Sequence, residues 1–403
     1  MNATARPARR VTVVQPYLTG YRVPFFERLR DELADRDVEL TVAHGRPVGG
    51  AAERGDSVRL PGAVELPQRD WQVRGRHLVR RDLRSVVRDS DALILTQALH
   101  HLDSLALLAR RPRGLRIGLW GHGRTYTVRH SAPARWAKAA LTRRADWFFA
   151  YTDEGRAYAE DAGLPAGRVT VLDNSLDTRS LEAARDRVTE VEVRRLRSRH
   201  GLTPGLTGLY VGGLDAPKRT PFLLAAADEL AARLPGFRLL VAGDGAQRAA
   251  VERHGPHVVH VGVVGEREKA LLGAAADVML VPGAVGLCAV DSFALRTPLV
   301  TTPWPFHGPE FGYLDDGRNA VLAPDDPGAY AAEVAQLLTR PRRLACLRRS
   351  CRADAQRYTV EAMARRFAAG VDGLLGTRAG GSGRDAGPVS GAVTPSGGTR
   401  SRV

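Results

Sequence analysis

The sequence predicts an α/β protein made of two doubly wound domains, each a parallel sheet covered by helices on both faces. Three observations predict it. Short apolar runs of strand length alternate with longer amphipathic segments along most of the chain. The alternation breaks once, around residues 178–205, and then restarts. At 403 residues the chain is long for a single core and comfortable for two.

The first half opens with a buried strand, Val11–Val14, followed by Pro24–Leu33, where Phe25, Phe26, Leu29 and Leu33 share one helical stripe. Val38–Val42, Ala92–Leu95, Ile117–Leu119, Trp147–Ala150 and Val169–Leu172 are further strands. The break holds a charged segment, Arg185 to His200, and then Gly201-Leu-Thr-Pro-Gly205. It is expected to be the interdomain connection. Beyond it, Leu209–Val211, Arg238–Val241, Val258–Val261, Val278–Val281 and Pro298–Thr301 read as strands. Pro221–Leu234, Glu266–Ala276, a segment containing Asp291–Leu295, and Gly328–Leu338 read as helices. Strands alternating with helices give parallel sheets joined by right-handed crossovers. The expected division is a flexible terminus at 1–9, a first domain at 10–190, a second at 191–350, a helix at 351–375 returning to the first domain, and a Gly/Ser/Pro-rich disordered tail at 376–403.

No run approaches the roughly 18 apolar residues of a membrane span. The basic start, Met1 to Arg10, lacks the apolar core of a signal peptide. Cys288, Cys346 and Cys351 form no disulfide framework, which fits a reducing cytoplasm, and no histidine cluster makes a zinc site beside them. The net charge of +15 has two readings: a basic face for an anionic surface such as a membrane, or the composition of an Ala-, Arg- and Gly-rich chain. Arg80-Arg81-Asp-Leu-Arg84, Arg110-Arg111-Pro-Arg113 and Arg143-Arg144 put much of the excess in the first half. Nothing resembles a nucleic-acid-binding motif, so nucleic acid is not an expected partner.

Parallel sheets bind ligands beyond the carboxyl ends of their strands. Four such loops stand out in the second half. Leu209-Tyr-Val211 runs into Gly212-Gly213-Leu-Asp-Ala-Pro-Lys218, where glycines let backbone approach an anion and the lysine reaches a phosphate. Leu239-Leu-Val241 runs into the turn Ala242-Gly243-Asp244-Gly245. Val261-Gly-Val263-Val264 can present amide groups to a base edge. Val281-Pro-Gly283-Ala-Val285-Gly286-Leu287 leads through glycines into a helix, whose unpaired N-terminal amides suit an anion. Asp291, one turn in, can accept hydrogen bonds from a ribose. Each signal alone is weak, since such glycines are usually turns; together they describe a nucleotide diphosphate pocket. Neither Gly-x-Gly-x-x-Gly after the first strand nor a P-loop is present.

The order and spacing of these loops resemble the donor domain of family 4 glycosyltransferases with the GT-B fold, two Rossmann-like domains facing across a cleft. The marks are Val-Gly-Gly-Leu-Asp-Ala-Pro-Lys-Arg (211–219), Ala-Gly-Asp-Gly (242–245), Ala-Ala-Ala-Asp-Val-Met-Leu-Val-Pro-Gly (274–283), Gly-Leu-Cys-Ala-Val-Asp-Ser-Phe-Ala (286–294), His307-Gly-Pro-Glu310 and Asp-Gly-Arg-Asn-Ala (316–320). In the first half, Gln15-Pro-Tyr-Leu-Thr-Gly20-Tyr-Arg22, Trp120-Gly-His122-Gly and Asn174-Ser-Leu-Asp177 look like the family's acceptor-side loop, histidine loop and pre-linker segment.

The resemblance implies a metal-independent transfer, with no cofactor beyond the nucleotide sugar as co-substrate and with retention at the anomeric carbon. Lys218 matches the lysine that holds the diphosphate, whereas Gly213 stands where the family has arginine. In the family's Glu-x7-Glu motif, Gly283 takes the first position and Asp291 the second. Asp291 keeps a carboxylate for the ribose. Main-chain groups of Gly283 to Gly286, with Glu310, would then position the sugar, as in a subgroup with Pro-Gly-x-Val-Gly-Leu. The implied catalytic set is His122, Lys218 and Glu310, with Gly20 and Arg22 on the acceptor side. The acceptor is a glycan, a lipid-linked sugar or a small metabolite. Each of these side chains also has an ordinary role: Lys218 and Arg22 as solvated charges, Asp291 as a charge on the helix dipole, His122 as a loop histidine, Glu310 as a helix cap. The stripe Trp136, Ala139, Ala140 with Arg135, Lys138, Arg143 and Arg144 reads as a core helix or as one lying on an anionic bilayer. A GT-B scaffold without activity, a nucleotide-sugar epimerase and a basic nucleic-acid binder are the competing classes.

Overall fold

In a computed structural model, the described residues are 9–376 apart from 50–51, 53–54, 74–75 and 124–130. The expected terminus and tail therefore lie almost wholly outside them.

The first domain is a parallel sheet of seven strands: β1 (Arg9–Gln15), β2 (Val38–His44), β3 (Val64–Glu65), β6 (Ala92–Thr96), β7 (Arg116–Gly121), β8 (Trp147–Ala150) and β9 (Val169–Val171), in the order β3-β2-β1-β6-β7-β8-β9. An antiparallel hairpin, β4 (Gln68–Val73) with β5 (Arg76–Arg81), stands beside it. The second domain is a parallel sheet of six: β10 (Thr207–Val211), β11 (Arg238–Ala242), β12 (Val258–Gly262), β13 (Val278–Leu280), β14 (Leu299–Thr301) and β15 (Ala320–Leu322), in the order β12-β11-β10-β13-β14-β15. In both sheets the chain winds outward one way, returns to the middle and winds the other. Each sheet carries an apolar cluster on both faces, one holding Phe25, Phe26 and Phe367 and its opposite Leu95, Leu119 and Phe148 in the first domain. Leu223, Leu239 and Tyr330 lie opposite Leu240, Met279 and Leu295 in the second. Continuous apolar strands follow from that double burial. The fold is GT-B.

Two boundaries differ from the sequence reading. The charged break is helical, Thr178–Asp186 and Glu190–His200, with a capping box at Thr189 and Glu192. Leu181 already joins the second domain's core beside Leu272 and Met279, so the crossover comes before residue 178 and not at 190. A charged face hid a narrow apolar stripe. At the other end, Pro341–Arg357 stays on the second domain, where Leu347 and Cys351 are buried. The return begins with the helix Val360–Leu375, whose Phe367 stacks on Phe149 at 4.4 Å. Helix Ala132–Arg143 buries Leu141 and Thr142, but Trp136 is 71% exposed and is no core residue. No helix among the described residues is long and apolar enough to cross a membrane.

Candidate functional site

Because every strand within each sheet runs parallel, all carboxyl ends of a sheet lie along one edge. The two edges meet. Asn174, just past β9, donates its side-chain amide to Glu310 of the short helix Pro309–Tyr313, and both residues are buried. The Tyr313 hydroxyl donates to the Asn174 carbonyl at 3.2 Å.

On the second domain the loops after β10, β11 and β12 are knitted by main chain. The Gly212 amide donates to Ala242 O at 3.0 Å, Leu214 to Asp244 O at 2.8 Å, and Gly243 to Gly262 O at 2.8 Å. Gly243 has φ +143°, and a Cβ there would run into the Gly212 carbonyl, so only glycine fits. Tyr210 fixes the next residue by donating to Gly213 O at 2.6 Å. Asp244 accepts from its own neighbour, the Gly245 amide, at 2.8 Å, and its other oxygen lies 3.6 Å from the Arg248 guanidinium. Val263 is 76% exposed beyond β12.

Lys218 lies across the loop after β13, its ammonium donating to Ala284 O at 2.5 Å. The Ala284 amide returns a bond to Pro217 O at 2.9 Å. Gly283 sits beneath this crossing. A Cβ on it would meet the Lys218 main chain and come within 2.7 Å of Pro217 O. The space a side chain at position 283 would need is thus filled by backbone.

The turn is held from its other side by His307. Its Nδ1 accepts from the Val285 amide at 3.0 Å and its Nε2 donates to Thr302 O at 2.8 Å, which fixes a neutral tautomer. Burial also pushes its pKa down. The Gly308 amide donates to Val285 O at 2.6 Å. A Cβ on Gly286 would lie 3.8 Å from Glu310 Oε2, so that carboxylate borders the turn. Burial raises the Glu310 pKa, against the opposing pull of the Asn174 amide, Arg22 and Lys218. Leu287 begins the helix Cys288–Leu295, and within it Asp291 is buried and ion-paired with Lys269 at 2.7 Å.

On the first domain, Gly20–Arg22 forms a short turn of helix after β1. Arg22 is not a solvated charge. It is 6% exposed, lies 5.0 Å from the Trp120 ring centroid and 5.1 Å from that of Tyr21, and donates to the Tyr151 hydroxyl at 3.3 Å. Burial pushes the Tyr151 hydroxyl up to about 12 despite Arg22. His122 stacks on Tyr151 at 4.3 Å. Desolvation by the protein around the ring, with Lys138 and Arg22, pushes its pKa down to about 4. His122 is therefore a neutral imidazole near pH 7.

The structure thus brings Lys218, the Gly283–Gly286 turn, Glu310 and Arg22 to one place, with His122 beside Arg22 on Tyr151. Gly212, Gly213, Gly243, Asp244 and Val263 lie along the same edge of the second sheet, and Gly20 on the facing edge. Asp291 stands one helical turn behind. Three residues with a part in this arrangement were not assigned from sequence: Tyr151, Asn174 and, as the clamp on Val285, His307. Tyr151 is the first residue past a strand, which was a usable signal; the other two depend on contacts between distant segments.

Residues 25–180 match the family described as Glycosyltransferase Family 4, and residues 205–340 match Glycosyl transferases group 1. Both domains are glycosyltransferase domains. The α-D-kanosaminyltransferase of Streptomyces kanamyceticus is 33% identical over 121 residues, 30% of either chain. D-inositol 3-phosphate glycosyltransferase 2 of Catenulispora acidiphila is 32% identical over 222 residues, 50% of either chain. These alignments span half or less of those curated relatives. Among solved structures, Anabaena HepE in complex with UDP has a TM-score of 0.65 at 16% identity, covering 90% of this chain and 99% of that one, a likeness of fold. The two matched segments touch through the Asn174–Glu310 hydrogen bond.

Proposed function

We propose that this protein transfers a glycosyl unit from a nucleotide-diphosphate sugar to an acceptor hydroxyl with retention of configuration. The observation that carries the reading is the convergence of Lys218, the Gly283–Gly286 turn and Glu310 opposite Arg22 and His122 at the facing edges of two glycosyltransferase domains. The base lies against Val263, and the ribose reaches the carboxylate of Asp291 beside Lys269. Lys218 leaves Ala284 O to meet the diphosphate, joined by the first amides of the helix Cys288–Leu295. Main chain of the turn and Glu310 hold the sugar. Arg22 and His122 face the acceptor. The acceptor oxygen attacks the anomeric carbon from the side of the departing group, the bond from that carbon to the phosphate oxygen breaks, and the same phosphate oxygen takes the acceptor proton. Charge builds on the leaving diphosphate, where a preorganised ammonium has most effect.

The reaction in this reading needs no metal and no further cofactor. The acceptor is a glycan, a lipid-linked sugar or a small metabolite. Trp136 with its basic neighbours offers peripheral contact with an anionic membrane on the cytoplasmic side. The test is a nucleotide-sugar panel read first by thermal shift and then by product, beginning with uridine diphosphate sugars, since HepE was solved with UDP. A ligand that raises the melting temperature and is consumed to an α-linked product from an α-linked donor supports the reading. Binding without consumption in the presence of acceptors of all three classes leaves a nucleotide-binding scaffold; inversion removes the proposed mechanism.

A further inference from the structure

A second constellation lies at the far end of the nucleotide-binding sheet. Asp228 sits in the second half of helix Thr220–Arg233, and His254 and His257 lie in the turn that leads into β12. His254 Nε2 is 2.9 Å and His257 Nε2 2.8 Å from one and the same oxygen, Oδ1 of Asp228. The rings meet edge to face, 5.5 Å apart. Only the His254 contact has hydrogen-bond geometry; His257 Nε2 is buried without a hydrogen-bond partner. The backbone is shaped to hold this ring: a Cβ on Gly255 would come within 2.7 Å of His257 Cε1. The His257 carbonyl accepts from the Leu239 amide at 2.8 Å, tying the turn to the sheet.

We propose that Asp228, His254 and His257 form a structural site for one divalent transition-metal ion, zinc by ligand type. Two imidazole nitrogens and a carboxylate oxygen are the donor set of borderline-soft ions, and zinc binds them at about 2.0–2.2 Å with water completing a tetrahedron. Such bonds place ligand atoms roughly 3.3–3.5 Å apart. The three side chains already hold all their donor atoms within 4.8 Å of one another, so small side-chain rotations suffice. The ion satisfies the nitrogen that the carboxylate alone leaves unpaired. It also ties a helix to β12, an edge strand whose other end, Gly262, accepts from Gly243 beneath the donor pocket. The site is separate from the transfer chemistry and does not depend on it.

The test uses the full, tag-free chain, stripped with chelator and then titrated with cobalt(II). One equivalent should produce the visible d–d bands of a tetrahedral ion with no thiolate charge-transfer band, and zinc should displace it. Zinc should raise the melting temperature by several degrees, reversibly with chelator, whereas magnesium should not. His257→Ala and Asp228→Asn should lose both responses while keeping the metal-free melting temperature and nucleotide binding of the parent. These side chains are 20% and 53% exposed, so folding is expected to survive. Absence of the bands, a thiolate band from Cys346 or Cys288, or an equal zinc shift in the variants overturns the site.

Discussion

The two faces of the cleft are built on the same architecture by opposite means. The second domain makes its face from main chain: Gly243, Gly245 and Gly283 let loops cross at contact distance, and amides and carbonyls of these crossings line the edge. The first domain makes its face from side chains, with Arg22 buried among Trp120, Tyr21 and Tyr151, and His122 stacked on the last. A main-chain face is damaged by adding atoms and a side-chain face by removing them. A diphosphate, common to all nucleotide sugars, can be read by fixed amides, whereas an acceptor hydroxyl needs directional partners.

The largest effect should come from Lys218, the cation laid across the Gly283–Gly286 turn. Lys218→Ala should lower kcat by about 10²- to 10³-fold, because it removes charge stabilisation that grows in the transition state. Melting temperature measured alongside should stay near the parent's; a folded variant with full turnover would break the assignment. Next comes added bulk. Gly283→Glu adds a side chain that must displace the Lys218 backbone. It should cost about 1–3 kcal/mol of stability, seen in denaturant melts, and abolish the nucleotide-induced thermal shift. Gain of activity would show that backbone is not what occupies this position.

That contrast also explains what was legible beforehand. Strand ends, glycine loops and Lys218 are local features with local signals, and both domains were readable from alternating apolar runs. The glycine at 283 looked like a lost side chain, because sequence shows an absence and not the Pro217–Lys218 backbone that fills it. The Asn174–Glu310 bond and the His307 clamp join segments 136 and 22 residues apart, and no spacing rule encodes them. Arg22 was ambiguous for the same reason: a charge after a strand is usually solvated, and only Tyr151 and Trp120 remove it from water. The hairpin β4–β5 leaves no sequence signal, because its first strand is exposed along nearly its whole length and offers no alternation.

Glu310 belongs to both faces, which makes its isostere informative. Glu310→Gln keeps an oxygen for Asn174 and loses the charge. Burial raises the Glu310 pKa, so the ionised form costs stability, and that cost appears as pH rises from the ordinary carboxylate range through the raised value. The variant should therefore be at least as stable as the parent at pH 7 and turn over roughly ten-fold more slowly. Equal activity would reduce Glu310 to an interdomain tether.

The smallest effect concerns the side-chain face. His122 has its pKa pushed down to about 4, so between pH 5.5 and 7.5 it carries no charge. kcat/KM should then show no histidine inflection in that range, and His122→Gln should leave the shape of the profile unchanged while lowering its height modestly. Stability reports the same group with a definite sign. Between about pH 6.5, where an unfolded histidine titrates, and about 4, the unfolded chain binds the extra proton, so folding weakens as pH falls through that window. Replacing His122 by glutamine should flatten this part of the stability curve. A histidine limb near pH 6.5 that disappears in the variant would instead make His122 a titrating acid or base, and the side-chain face would then take part in proton transfer that the front-side route assigns to the departing phosphate.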